Sequence, residues 1–283
     1  MVLKKALLII ALSSATLLSF QKKEHSYLAL FNGKDLTGWD TYLGPAFDSI
    51  KGKFDSLSTK GLNNDPNKVF SVVIEDGEPA LHVSGNGFGG IATKSEFENY
   101  HLSVQFKWGT RKFQDRKDKP RDSGILYHAV GPFDAAYGNW MCSQEFQIQE
   151  GDCGDYWSVA GSIMDIPAMK LQEKQYVYDP HSELVTFSYT SASGKRCRKK
   201  IDGEKPTGEW NTVDIYCLGN SSVHIINNVV VMKLFHSRYP VNGKEIPMTK
   251  GKIELQTEGA EVFYRHVQLE PITKFPEALT EGN

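Results

Sequence analysis

A dozen short runs of alternating apolar and polar residues, each closed by turn residues, restrict this chain to one class of fold. The clearest runs from His101 to Trp108. Leu102, Val104, Phe106 and Trp108 alternate there with His101, Ser103, Gln105 and Lys107, which is the period of a strand with one buried face. Similar runs begin at Tyr27, Val69, Ala80, Ser123, Glu145, Glu183, Asn211, Ser222, Val229, Lys252 and Glu261. Gly, Asn, Asp and Pro punctuate them, and no amphipathic helix longer than two turns intervenes. Short strands spaced by turn residues predict an all-β chain, an antiparallel sandwich or barrel.

The N-terminus stands apart from this pattern. Lys4 and Lys5 precede an apolar run from Ala6 to Phe20, and a polar QKKEH follows. The run is shorter and more serine-broken than a membrane span, so residues 1–22 read as an export signal. Residues 23–283 are then expected to form a single β-sandwich domain, periplasmic or extracellular after signal cleavage. No later apolar run approaches membrane-spanning length, and a formal net charge of -2 argues against a nucleic-acid partner, which calls for a basic face.

Cys142, Cys153, Cys197 and Cys217 permit disulfides in an exported chain. A Cys142–Cys153 bond would staple one turn, whereas Cys217 shares parity with Val213 and Ile215 and suits a core equally well. No CxxC or HxxxH spacing suggests zinc. Two longer irregular stretches remain. Residues 41–68, rich in Gly, Pro, Asn and Asp, read as a functional loop or a packed surface flap, and residues 111–121 (RKFQDRKDKPR) as a solvated hairpin tip, with a binding arm as the alternative.

Chemistry concentrates between Trp140 and Trp157. Alternation sends Phe146 and Ile148 to one face of a strand and Glu145, Gln147 and Gln149 to the other. Acids and amides bond hydroxyls, and flanking indoles stack on the apolar faces of sugar rings. A retaining glycosidase needs two carboxyls close together, and Glu150 reaches the face of Glu145 only if a β-bulge precedes Gly151. The spacing E-x-Q-x-x-E resembles the E-x-D-x-x-E signature of laminarinase-type glucanases. Gln147 stands at the acid position and cannot tune its neighbours by charge, which weakens that mechanism.

A broader resemblance rests on LFNGKDLTGW at Leu30, DSGILYH at Asp122, QEFQIQEGDCGDYW at Gln144, GEWN at Gly208, VHIINN at Val223 and IELQTEGAEVFYRHVQLEPI at Ile253. Together these resemble the 3-keto-disaccharide hydrolase domain family, from about Tyr27 to Ile272. The resemblance implies a concanavalin A-like jelly-roll sandwich of two antiparallel sheets and a carbohydrate substrate. It also implies a distinct bond cleavage. A ketone at C3 acidifies the C2 proton, loss of that proton expels the group on C1, and water adds back. Such a site needs a base near C2, an electrophile or metal at the ketone oxygen, and an acid for the leaving group.

The expected catalytic residues are Glu145, His128 and Glu150, with His128 favoured because it titrates near neutrality. The expected substrate-binding residues are Arg121, Tyr127, Trp140, Gln147, Trp157, Gln256 and His224. His224 alternates with Val223 and Ile225, so packing is its competing role. Glu150, Asp152 and Asp155 are hard oxygen donors suited to Ca²⁺ or Mg²⁺, although EGDCGD lacks the regular D-x-D-x-D-G loop. Two alternatives to the keto-sugar enzyme stand beside it: a noncatalytic lectin-like module, and a retaining glucanase using Glu145 and Glu150.

Overall fold

The computed structural model describes residues 27–48, 50–113 and 116–280. The expected export signal, residues 1–22, lies outside the described residues. Helix among them amounts to a turn of 3₁₀ at Ser56–Ser58, 3₁₀ backbone at Arg116 and four residues at Glu277–Thr280. None is long and apolar enough to cross a membrane.

Two large antiparallel sheets form a jelly-roll sandwich. One follows the order Gln175–Tyr178, Ile163–Gln172, Val229–Val241, Ser221–Ile226, Asn211–Leu218, Tyr100–Lys112, Ala260–Pro271, Glu78–Val83 and Phe70–Glu75. The other, which carries the candidate site, runs Arg196–Cys197, Tyr156–Val159, Cys142–Gln149, Asp122–Val130, Lys250–Glu258, Phe88–Thr93, Trp39–Leu43 and Gly61–Leu62. Lys250–Glu258 lies between two strands far from it in sequence, so the site sheet is assembled from both halves of the chain.

The core lies between the sheets. Leu102, Val104, Phe106 and Trp108 are buried, as their alternation requires. They belong to one cluster with Val213, Ile215, Ile125, Phe146, Ile148, Ile253 and Leu255. Each such side chain contributes about 1.5–3 kcal/mol by leaving water. A second cluster of Tyr156, Met164, Ile166, Phe187, Met232 and Leu234 underlies the end of the site sheet and anchors the segment leading to Arg196. Within the 41–68 flap, Phe47 and Phe54 stack edge to face at 5.3 Å, and Phe54 meets Phe88 at 5.2 Å. The flap thereby packs on the site sheet.

Two expectations change here. The four cysteines are free thiols. Cys142 opens a strand that ends at Gln149, and Cys153 lies in the turn beyond it. At ~3.4 Å per residue the two are separated by the length of the strand, so they cannot staple the turn. Cys217 is buried with Val213 and Ile215. The 111–121 segment is not a simple solvated tip either, because the Arg116 side chain is only 14% exposed and turns inward.

Candidate active site

Cross-strand pairing builds a polar patch on the face of the site sheet that points away from the core. Arg196, Trp157, Glu145, Leu126, Glu254 and Ala92 stand opposite one another in a line across the strands. Two residues further along, Gln147 pairs with Gly124 and Gln256 with Gly90. Two further still, Gln149 pairs with Asp122 and Glu258 with Phe88. Partners directly opposite share a face, so Glu145, Gln147, Gln149, Asp122, Glu254, Gln256 and Glu258 gather on one surface.

Gly124 makes the centre of this patch a depression. A Cβ there would lie 2.4 Å from Oε1 of both Glu145 and Gln256. Only glycine leaves room for both, and the two oxygens therefore lie within twice that distance of each other. Gly90 does the same for Glu254, whose Oε1 would lie 2.2 Å from an added Cβ. Over the patch opens a cavity of about 250 Å³. Trp140, Trp157, Tyr137 and Tyr189 wall it, and Arg116 and Lys195 bring the positive charge.

Arg116 neutralises one side. Its guanidinium donates to Glu258 Oε1 at 2.7 Å and Gln149 Oε1 at 3.3 Å and forms an ion pair with Asp122. Burial nonetheless holds the Asp122 carboxyl well above the usual range, helped by Glu258 and opposed by Arg116. The Glu145 carboxyl forms no ion pair and no hydrogen bond to a described residue. Burial pushes its pKa well up, Glu258 adds to this, and Lys195 opposes it. Glu254 is pushed up to about 8 by burial, against a hydrogen bond from the Met141 N–H at 3.2 Å. Oε1 atoms of Gln147, Gln256 and Glu254 are buried acceptors without a donor. Acceptor oxygens crowded together are satisfied when a carboxyl keeps its proton, in agreement with a protonated Glu145.

The opposite wall has the reverse character. Lys195 Nζ donates to the Tyr137 phenol oxygen at 3.0 Å, and the Tyr189 hydroxyl donates to the same oxygen at 3.1 Å. The ammonium sits 5.0, 4.9 and 5.4 Å from the ring centroids of Trp157, Tyr189 and Tyr137. Burial alone would raise the phenol, but the bonds from Tyr189 and Lys195 and the Lys195 charge bring Tyr137 below its ordinary value. One cavity thus holds an acid that retains its proton and a phenol disposed to lose one.

Residues 26–270 match the 3-keto-alpha-glucoside-1,2-lyase-like domain family. The chain belongs to this family. Membership supports a carbohydrate-active function. No curated protein matches the chain. Among solved structures, it is similar to a putative glycosyl hydrolase from Parabacteroides distasonis at 18% identity and TM-score 0.48, over 87% of this chain and 94% of that one. A carbohydrate-binding module of type CBM66 from Bacillus subtilis is similar at 7% identity and TM-score 0.41, over 71% and 91%. The alginate lyase AlyC3 in complex with dimannuronate is similar at 10% identity and TM-score 0.43, over 83% and 90%.

In this family member, five of the expected site residues meet at the cavity: Glu145, Gln147, Trp140, Trp157 and Gln256. The others are elsewhere, for identifiable reasons. Simple alternation from Leu126 would aim His128 at the cavity, but the register slips between Tyr127 and Val130 and His128 adopts φ 52. This bulge turns the ring into the core, edge-on to Tyr100 at 5.6 Å and Tyr127 at 5.5 Å. Burial there lowers its pKa to about 4. Tyr127 has core parity, and its hydroxyl bridges the sheets to Ser222 Oγ at 2.9 Å and His224 Nε2 at 3.0 Å. His224 is fully buried and lowered to about 3 by desolvation.

Glu150 is not returned to the face of Glu145. It lies past the strand end, where its carboxylate accepts from the Arg121 N–H, the Arg121 guanidinium and the Thr207 hydroxyl, each at 2.7 Å. Burial raises its pKa, but those three bonds outweigh burial and lower it. Arg121 and Glu150 therefore satisfy each other outside the cavity, and the Glu145–Glu150 pair of a retaining glucanase does not form. The expected Ca²⁺ or Mg²⁺ donors do not fit a cation either. Asp155 accepts from Arg196 at 2.6 and 2.8 Å and from the Lys199 N–H at 2.9 Å. Asp152 pairs with Arg196 at 2.9 Å. No group of three or more His, Cys, Asp or Glu is disposed for a metal among the described residues.

Sequence reading missed Arg116, Tyr137, Tyr189, Lys195 and Glu254. For Glu254 the signal existed, since it alternates with Ile253 and Leu255 just as Gln256 does. The other four come from loops, where no period assigns a direction.

Proposed function

We propose that the chain is an exported enzyme, a single domain over residues 23–283, that cleaves the glycosidic bond of 3-keto-glycosides by elimination. The observation carrying this reading is the juxtaposition in one cavity of the proton-retaining Glu145 carboxyl and the Lys195-bound Tyr137 phenol. A carboxyl raised by burial keeps a proton to give, and a phenol lowered by a neighbouring ammonium is readied to take one, so their environments assign the acid and the base.

In this reading Tyr137, as phenolate, takes the proton from C2 of the sugar. The electron pair of the C2–H bond forms the C1–C2 double bond, and the C1–O bond breaks. Glu145 delivers its proton to the departing oxygen, so charge and atoms balance. The ketone at C3 shares the developing negative charge, and the Lys195 ammonium stabilises it in a site partly closed to water. Water then adds across the double bond to complete net hydrolysis. Trp140 and Trp157 hold the ring faces, and the Gln147 and Gln256 amides bond hydroxyls without adding charge.

Incubating the folded protein with a 3-keto-glucoside and with its unoxidised parent tests the reading. Release of aglycone from the keto compound alone is expected. Equal inactivity on both overturns it.

A further inference from the structure

The line of residues crossing the site sheet continues past the cavity. Beyond Trp157 it reaches Arg196, and a second cavity of about 310 Å³ opens there. Trp157, Lys174, Tyr176, Lys195, Arg196 and Arg198 line it. Trp157 and Lys195 belong to both cavities, so a ligand lying along the shared indole extends from one into the other.

The two differ in charge. Asp122, Glu145 and Glu258 line the first, whereas no carboxylate lines the second. Arg196 is matched by Asp152 and Asp155. Lys174, Lys195 and Arg198 form no ion pair among the described residues, and Lys195 meets only a phenol oxygen and aromatic rings. The cations rest on ordered backbone. Lys174 sits with φ 54 in the turn between Ile163–Gln172 and Gln175–Tyr178. Arg198 donates its N–H to the Tyr176 carbonyl at 3.0 Å and accepts from the Tyr178 N–H at 2.7 Å. Ordered backbone at both positions sets where the two side chains start from at the cavity edge.

We propose that the second cavity is a subsite for an acidic sugar unit, one carrying a carboxylate or a sulfate and linked to the unit held over Glu145. The Arg198 guanidinium and the Lys174 ammonium, which form no ion pair among the described residues, match those anions through charge-assisted hydrogen bonds, while Trp157 and Tyr176 offer flat surfaces to the ring. The assignment rests on reading the first cavity as a sugar site.

Titration calorimetry with the full-length protein tests it, using three disaccharides of one linkage: glucosyl-glucose, glucuronosyl-glucose and 6-sulfoglucosyl-glucose. At least one acidic compound is expected to bind about 10-fold or more tighter than the neutral one in low salt, with the advantage shrinking as salt screens the contact. Tighter binding of the uronate assigns a carboxylate ligand, and tighter binding of the sulfate assigns a sulfate. A Lys174→Gln/Arg198→Gln double variant, with its fold checked by thermal unfolding, is expected to bring acidic and neutral affinities within about twofold of each other. Equal affinities for acidic and neutral compounds, or a preference that survives the double substitution, overturn the subsite. Absence of binding by all three also overturns the subsite, while the 3-keto-glucoside incubation decides the reading of the first cavity separately.

Discussion

Lys195 Nζ donates a 3.0 Å hydrogen bond to the phenol oxygen of Tyr137 at the rim of a cavity whose floor carries Glu145. An ammonium bonded to a phenol favours the phenolate, and that preference is testable. Lys195→Met removes the charge, so the Tyr137 pKa rises. The rising limb of the pH–rate profile then moves to higher pH, and kcat at neutral pH falls roughly 10–100-fold. An unmoved limb separates Lys195 from the base.

Tyr137→Phe removes the phenol outright. A fall in kcat of roughly 10²–10⁴-fold is expected, with substrate affinity, read by calorimetry, changing little. Glu145→Gln should behave alike, because an amide keeps the shape of the carboxyl but has no proton to give. A noncatalytic binding module would instead lose affinity modestly in either variant and have no turnover to lose.

Gly124→Ala places a Cβ 2.4 Å from Oε1 of Glu145 and of Gln256. Both side chains must move, and overpacking of this kind costs roughly 1–3 kcal/mol. Urea unfolding should report that loss, and activity should drop by more than the population of folded protein explains.

Glu254 links the site to stability. Its folded pKa is raised to about 8 by burial, above the value of roughly 4.3 in an unfolded chain. Its contribution is fully present below about pH 4.3 and is lost as pH climbs toward 8, because the unfolded state ionises first. His128 and His224, lowered to about 4 and about 3 by burial, give the opposite slope below about pH 6.5, where the unfolded imidazoles take protons. The windows overlap between about pH 4.3 and 6.5, where two imidazoles outweigh one carboxyl, so for these three groups the melting temperature should peak near pH 6.5 and decline toward pH 8. Glu254→Gln should flatten that decline, a change of about 2 kcal/mol; an unchanged slope would show that Glu254 is ionised in the fold.

Arg116→Met removes the cation that opposes protonation of Asp122. The carboxyl, already held well above the usual range by burial, then rises further and keeps its proton, so the cost should fall below the about 3–5 kcal/mol of a buried charge left uncompensated. The loss of stability should change little between neutral and acid pH; a loss that acid relieves would show that Asp122 is ionised in the fold.

Strand parity carried the sequence reading a long way. Phe146 and Ile148 are in the core, Glu145 and Gln147 face the cavity, and Gln256 joins them from a strand more than a hundred residues away. Parity failed at His128, because a single bulge with positive φ reverses a side chain without leaving a mark in the hydrophobic pattern. It could not reach Tyr137, Tyr189 or Lys195. Their positions depend on how two loops close over the sheet, a long-range result that local alternation does not encode. Residues 140–157 bring Trp140, Glu145, Gln147 and Trp157 to the cavity, but three of their acids serve the fold: Glu150, Asp152 and Asp155 hold arginines.

The fate of the hydrogen on C2 tests the proposed mechanism most directly. A 3-keto-glucoside is cleaved in D₂O, with an enzyme-free control for spontaneous exchange, and early product is read by NMR. Elimination through Tyr137 and Glu145 predicts that released sugar carries solvent deuterium at C2, or no hydrogen there if it leaves unsaturated. Product that retains its original C2 hydrogen would mean that the bond was hydrolysed directly, and would contradict the account.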